Sequence, residues 1–101
     1  MTRLRKAIAS EVRARIERLS TLPYSELQAL PQEQSEYVAE LGNKVTFTTY
    51  RDVQEDQSLL VVVQAYRYWF LGIGYMTVEG TVVSPSGECM AAPENLLWDY
   101  S

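Results

Sequence analysis

The sequence predicts an α+β protein in which an N-terminal helix and a short second helix pack on a four-stranded antiparallel meander sheet. Apolar residues recur every three or four positions up to residue 19, and from residue 35 they alternate with polar residues. This change of period from 3.6 to 2 marks the passage from helix to strand. The 101 residues have the size of one domain, with a helical part at 1–31, a sheet at 35–84 and a C-terminal part at 85–101.

The first helix is predicted from Thr2, a suitable N-cap, to residue 19. One stripe of this helix is apolar and consists of Leu4, Ile8, Val12, Ile16 and Leu19. Arg15 falls inside the stripe, so we expect it to form a salt bridge with a strand carboxylate. A second, short helix is predicted between Pro23 and Pro31.

Four strands are predicted at about residues 36–41, 44–51, 59–71 and 75–84, where β-branched and aromatic residues dominate. The connections between them are short, which makes consecutive strands antiparallel neighbours. A three-residue connection at 42–44 would place Tyr37 on the same, helix-covered face as Val45 and Phe47.

The second hairpin contains the aromatic stretch QAYRYWFLGIGYM at residues 64–76. A three-residue connection at 72–74 would pair Arg67 with Glu79 and leave Arg67 and Trp69 on the face away from the helices. The helix-covered face would then receive the side chains of Tyr66, Tyr68 and Phe70. A two-residue connection would reverse the faces and bring Arg67 into the core, where a buried charge is unfavourable without a carboxylate. The first register is therefore the preferred prediction.

The sheet face away from the helices is predicted to carry Val38, Tyr50, Val61, Val63 and Trp69. The third strand is too apolar on both faces for either face to be solvated. Two covers are possible: the stretch from residue 89 onward, with Trp98 and Tyr100, or a second subunit. We favour the homodimer.

Composition excludes several classes of function. The chain has no histidine and one cysteine, so Ser-His-Asp and Cys-His catalysis, the usual zinc sites and an internal disulfide are excluded. The carboxylates of the loop around Asp52 and Asp56 should be solvated, with nothing to raise a pKa, so the sequence favours a non-enzymatic protein, and we expect no cofactor and no metal. No apolar run reaches the roughly 20 residues that span a bilayer, and no secretory signal is apparent, so we expect a bacterial-type cytoplasmic protein.

Charge is divided unevenly along the chain. The first helix holds six of the nine basic residues and carries a net charge of about +4, whereas the remainder carries about −8. A basic helix can bind nucleic acid, an anionic membrane surface or an acidic partner. Because the net charge of the whole chain is −4, we expect a structural helix and consider nucleic-acid binding unlikely.

The function predicted from these observations is that of a small non-catalytic protein-binding protein, of a regulatory, adaptor or immunity type. Its contact surface would be the Tyr/Trp-bearing sheet face, and the predicted site residues are Tyr66, Arg67, Tyr68, Trp69, Glu79 and Trp98. The alternative is a small-molecule binding domain that could have weak enzymatic activity. Its pocket would lie between helix and sheet, anchored by Arg67 or Arg15 and lined by Phe47, Tyr66, Tyr68 and Trp98.

Overall fold

The computed structural model describes residues 2–38, 45–70 and 73–100. Its fold is α+β with helices packed on an antiparallel sheet, as predicted, but the sheet has five strands instead of four. The elements in chain order are α1 (Thr2–Ser20), α2 (Tyr24–Gln28), β1 (Glu33–Tyr37), β2 (Val45–Val53), β3 (Leu59–Phe70), β4 (Ile73–Val83), β5 (Cys89–Ala91), α3 (Glu94–Leu97) and a 3₁₀ turn (Trp98–Tyr100).

The end of α1 is closed by local hydrogen bonds. The Ser20 hydroxyl donates to the Ile16 carbonyl at 2.8 Å, and the Thr21 hydroxyl donates to the Arg18 carbonyl at 2.6 Å. The Arg18 carbonyl belongs to the last turn, where carbonyl groups lack an i+4 partner within the helix, and it also accepts a hydrogen bond from the Thr21 N–H. The chain turns at this point, and Pro23 precedes the first residue of α2 with its extended backbone.

The strand order follows the chain, β1-β2-β3-β4-β5, and each pair is antiparallel. The meander is therefore confirmed. β5 was not predicted because its three residues are all exposed and show no alternation of apolar and polar positions. It pairs only with residues 81–83 of β4.

The predicted register of the first hairpin is wrong by three residues, because a connection at 42–44 would place Tyr37 opposite Thr49. Glu36 lies opposite Phe47, and Tyr37 lies opposite Thr46, so Tyr37 is on the face away from the helices. The predicted connection and the predicted strand positions from residue 39 to 44 lie outside the described residues. The strand itself begins at Glu33, three residues earlier than predicted.

The predicted pairing in the second hairpin is also wrong. Arg67 lies opposite Tyr75, and Glu79 lies opposite Val63. The reason is Gly74, which we assigned to the connection but which belongs to β4. A Cβ atom at Gly74 would lie 2.6 Å from the Arg67 carbonyl oxygen and 2.8 Å from the Tyr66 hydroxyl, so only glycine allows this close approach.

On β3 and β4 the helices cover the face that we expected them to leave open, whereas on β2 they cover Val45 and Phe47 as predicted. Val61 and Val63, predicted on the open face, are fully buried beneath the helices. Arg67 is on this covered face because it pairs with Val45 and Tyr75, which belong to it. Tyr66 lies on the opposite face with Met76.

The core between helices and sheet consists of two adjoining clusters. In the first, Ile8 and Val12 of α1 pack on Phe47 and its neighbours in β2 and β3. In the second, Leu27 of α2 packs on Leu59, Val61 and Val83. From Ile8 to Leu19, the apolar stripe predicted for the first helix is therefore the surface that α1 buries.

Arg15 lies inside this apolar stripe, and carboxylates compensate its charge. Its guanidinium contacts Glu11 at 3.0 Å and Glu36 of β1 at 2.9 Å, and it lies 4.4 Å from the centre of the Phe47 ring. The predicted salt bridge to a strand residue is confirmed. It also joins α1 to the edge strand β1.

Candidate protein-binding surface

The face of the sheet away from α1 and α2, which we call the second face, is partly covered by the C-terminal tail. We define the tail as residues 92–100. Tyr100 stacks on Tyr50 with the ring centres 4.9 Å apart, and the Tyr100 carbonyl accepts a hydrogen bond from the Gln64 side chain. A Cβ atom at Gly80 would lie 2.9 Å from Leu97, so the tail lies directly on β4 there. Of the two covers predicted for this face, the tail is the one observed.

Val62 shows how complete this cover is. It lies in a row between Tyr50 and Gly80, both of which the tail contacts, and it is fully buried. Its neighbour Leu60 on the same face is also buried. The tail thus forms a second, smaller apolar layer on the sheet.

The docked phenol of Tyr100 has an altered acidity. Burial against the sheet raises the pKa of Tyr100, and the negative charges of Asp52 and Asp99 together with a hydrogen bond to Asp52 raise it further. Each of these causes favours the neutral phenol.

We therefore expect stability to fall at high pH. The folded protein keeps the Tyr100 proton to a higher pH than the unfolded chain, so the stabilisation is complete below the unfolded pKa of about 10 and is lost as the pH rises through the folded pKa. Urea unfolding at about pH 9 and pH 11 should show a smaller decline for Tyr100→Phe than for the native protein. Equal declines would mean that the phenol ionises alike in both states.

The residues predicted to line a pocket between helix and sheet do not converge. Phe47 is buried beneath α1, Tyr66 lies on the opposite face of the sheet, and Trp98 is on the tail with 70% of its surface exposed. Arg15 is held by Glu11 and Glu36. The side chains of Tyr68 and Trp69 lie outside the described part of the chain.

Part of the second face stays uncovered near the β3–β4 hairpin. Met76 is 39% exposed there, with Tyr66 half-buried in the opposite position of β3, and Tyr37 of β1 is exposed on the same face. The Gln64 amide lies 3.6 Å from the Met76 sulfur. The aromatic stretch thus contributes an exposed apolar area at one end of the sheet.

The outer edge of β4 adjoins this area. Within the described chain, β5 pairs with residues 81–83 and Ala92 donates to the Gly80 carbonyl at 3.0 Å, but no strand pairs with residues 73–79. A groove of about 630 Å³, open to solvent, begins at the end of this open stretch and continues beside β5. It lies between α1 on one side and β5 and the tail on the other, and its lining includes Arg13, Ile16, Val78, Glu79, Met90 and Leu97.

Two basic side chains of α1 reach this edge. Arg13 contacts the Glu79 carboxylate at 3.0 Å, and Arg5 lies 4.9 Å from the centre of the Tyr75 ring. The hydrogen bond and charge of Glu79 raise the pKa of Arg13. Glu79, predicted as a partner of Arg67, is therefore a partner of the helix instead.

Sequence analysis missed the open edge of β4 and several residues beside it. Met76 was treated only as a strand position, and Arg5 and Arg13 only as part of a basic helix whose binding of nucleic acid we did not favour. Their spacing contains the signal, because Arg5 and Arg13 are eight residues apart on one side of a helix and Tyr75 and Glu79 are four apart on one face of a strand. Both separations span about 12–13 Å, so the two pairs can meet.

The described residues contain no cluster of three or more metal-ligating side chains and no helix long and apolar enough to cross a membrane. A comparison with protein-family models, curated proteins and solved structures finds no significant match.

Proposed function

We propose that this protein is a non-catalytic protein-binding domain of a regulatory, adaptor or immunity type, which binds an extended segment of its partner at the outer edge of β4. The observation that carries the proposal is the outer edge of β4 at residues 73–79, which has no described neighbouring strand and which ends at a groove between α1 and β5. Adding a strand to such an edge provides affinity through backbone hydrogen bonds.

The contrast with the other edge of the sheet supports this proposal. Natural sheets protect exposed edges with short strands and charged side chains. β1 has both features, since it is five residues long and carries Glu33 and Glu36. The open part of β4 instead presents the apolar side chains of Met76 and Val78. This edge is suited to contact with another chain.

The proposed binding surface includes part of the sheet face that sequence analysis predicted to bind a partner. Exposed Met76 and half-buried Tyr66 lie beside the edge and can receive apolar side chains of the bound segment. The helix side of the edge offers Arg13 and Glu79 for polar contacts. The exposed side chain of Met76 thus distinguishes this surface from the parts of the sheet that the helices and the tail cover.

Photo-crosslinking in cells tests the proposal. A benzoylphenylalanine at Met76 should crosslink a protein chain, whereas the same group at Val53 should not, although Val53 is similarly exposed at 46%. Combining the Met76 probe with Val78→Pro should abolish the product, since proline blocks an outward-facing backbone N–H on an edge strand. Equal crosslinking at Met76 and Val53, or a product that survives Val78→Pro in a folded protein, would contradict strand addition.

A further inference from the structure

We propose that the segment bound at the β4 edge is an acidic stretch of another protein, with carboxylate side chains at alternate positions facing α1 and apolar side chains between them. This inference rests on the proposed function, because it names the chemistry of the segment that the open edge binds. The segment lies extended along residues 73–79 of β4, the part of the edge without a described neighbouring strand.

The chain itself limits the bound segment at one end. Ala92 donates to the Gly80 carbonyl at 3.0 Å, and Ala91 pairs with Thr81, so the edge is occupied from Gly80 onward. A bound segment must therefore end, or turn away from the sheet, before it reaches Gly80. Its contacts with β4 are confined to the open stretch.

The backbone of β4 determines where the added strand forms its hydrogen bonds. The Gly80 carbonyl points away from β3, where it accepts the hydrogen bond from Ala92. The outward direction recurs at every second residue of an antiparallel strand. The backbone groups of Met76 and Val78 therefore also point outward, and they are available to an added strand.

Side chains of the added strand alternate between the two faces of the sheet. Those opposite Tyr75 and Thr77 lie on the face that α1 covers, because Tyr75 packs against the first core cluster and Thr77 shares its face. Those opposite Met76 and Val78 lie on the second face, beside exposed Met76 and half-buried Tyr66. The α1 side can thus select charge, while the second face receives apolar side chains.

Arg5 is the cation at this edge that favours an acidic partner. It is exposed and lies 4.9 Å from the centre of the Tyr75 ring. Within the part of the chain that the structure describes, no carboxylate forms an ion pair with Arg3, Arg5 or Lys6, and the first turn of α1 contains no acidic residue. Cations near a helix N-terminus also interact unfavourably with the helix dipole. A carboxylate bound beside Arg5 would compensate this charge.

The positions of the acidic side chains follow from the two arginines at the edge. A carboxylate opposite Tyr75 would lie near Arg5, and one opposite Thr77 would lie between Arg5 and Arg13. Glu79 already contacts Arg13 at 3.0 Å and would repel a carboxylate directly opposite itself. The bound segment should therefore carry two acidic residues separated by one apolar residue, and no acidic residue opposite Glu79.

Selection from a random library of displayed peptides tests the inference on the purified protein. We expect the enriched sequences to share the pattern acidic–apolar–acidic, and to lose binding when Val78→Pro removes an outward N–H from the folded protein. Enriched sequences that are basic or uncharged but still depend on Val78 would overturn the inference and leave the proposed function in place. If no sequence is enriched, the inference also fails, whereas a Met76 crosslink in cells would still support the proposed function.

Charge reversal on α1 provides a second test, with an enriched acidic peptide as the probe. Arg5→Glu should weaken its binding about tenfold or more, because like charges would face each other. Arg3→Glu is the matched control, since it makes the same change about 160° around the helix from Arg5. This control should alter affinity by less than about threefold at an ionic strength of about 0.15 M, where salt screens distant charges.

Both variants should stay folded, because a carboxylate near a helix N-terminus interacts favourably with the helix dipole. Circular dichroism checks this expectation. Equal weakening by Arg5→Glu and Arg3→Glu would contradict docking beside Arg5 and indicate a general attraction to the basic helix. Displacement of the peptide by a mixed-sequence DNA oligonucleotide at lower concentration than by unlabelled peptide would overturn the assignment of a protein partner.

Discussion

Ending the chain after Ala92 is expected to lower the free energy of unfolding by about 1–3 kcal/mol. This truncation removes Leu97 and Tyr100, which cover the second face at Gly80 and Tyr50. Val62 lies between these two positions and would become accessible to water. Exposing one large apolar side chain destabilises a protein by about 1.5–3 kcal/mol, and the regained freedom of the tail offsets part of the loss. Urea unfolding of the full and truncated chains measures the difference.

Single substitutions within the tail separate packing from chain length. Trp98→Ala should change stability by no more than about 0.5 kcal/mol because most of its surface is exposed. Gly80→Val should reproduce part of the truncation effect, since a side chain there would meet Leu97 and the Cβ atom of Ala92, the latter at 3.2 Å. An unfolding free energy that is the same with and without residues 93–101 would show that the tail contributes nothing to the folded state.

The elements themselves could be predicted because each has a strong local signal. The stripe that ends at Leu19 has a helical period, and its observed helix ends at Ser20. Arg15 could be assigned to a salt bridge because a charge inside an apolar stripe requires a partner. These predictions depend only on neighbours along the chain, which the sequence displays directly.

The face covered by the helices could not be predicted from the pattern. Residues 59–63 of β3 are apolar without interruption, so both faces of this strand are buried and the alternation that identifies a core face is lost. Contacts between residues far apart in the sequence determine which face the helices cover. Gly80 lacks a side chain, which lets Leu97 approach one face, while the stripe of α1 covers the other.

The candidate surface was harder to predict for the same reason. The register depends on whether Gly74 belongs to a turn or to a strand, and a glycine is common in both. Arg67 pairs with Tyr75, four positions before the predicted partner Glu79. Because this displacement is an even number of residues, Arg67 and Glu79 remain on one face of the sheet. The open edge of β4 depends in turn on β5 being only three residues long, a feature with no sequence signal.

Phe47→Ala is expected to destabilise the protein by about 3–5 kcal/mol. The ring is 1% exposed, lies in the cluster with Ile8 and Val12, and is covered by the Arg15 guanidinium. Its removal leaves a cavity beneath α1 and deprives Arg15 of its aromatic neighbour. Chemical denaturation monitored by circular dichroism gives the change in unfolding free energy.

Two matched variants test whether the helix-covered face, which contains Phe47, contributes more to the free energy of unfolding than the opposite face does. Phe47→Leu should cost less, about 1–2 kcal/mol, because it keeps most of the buried volume but loses the cation–π contact. Tyr66→Ala removes an aromatic ring from the opposite, half-buried face and should be milder than Phe47→Ala, although sequence analysis placed both rings in one core. A larger loss for Tyr66→Ala than for Phe47→Ala would contradict the arrangement of α1 over the Phe47 face, because the greater cost must fall where the helix excludes water.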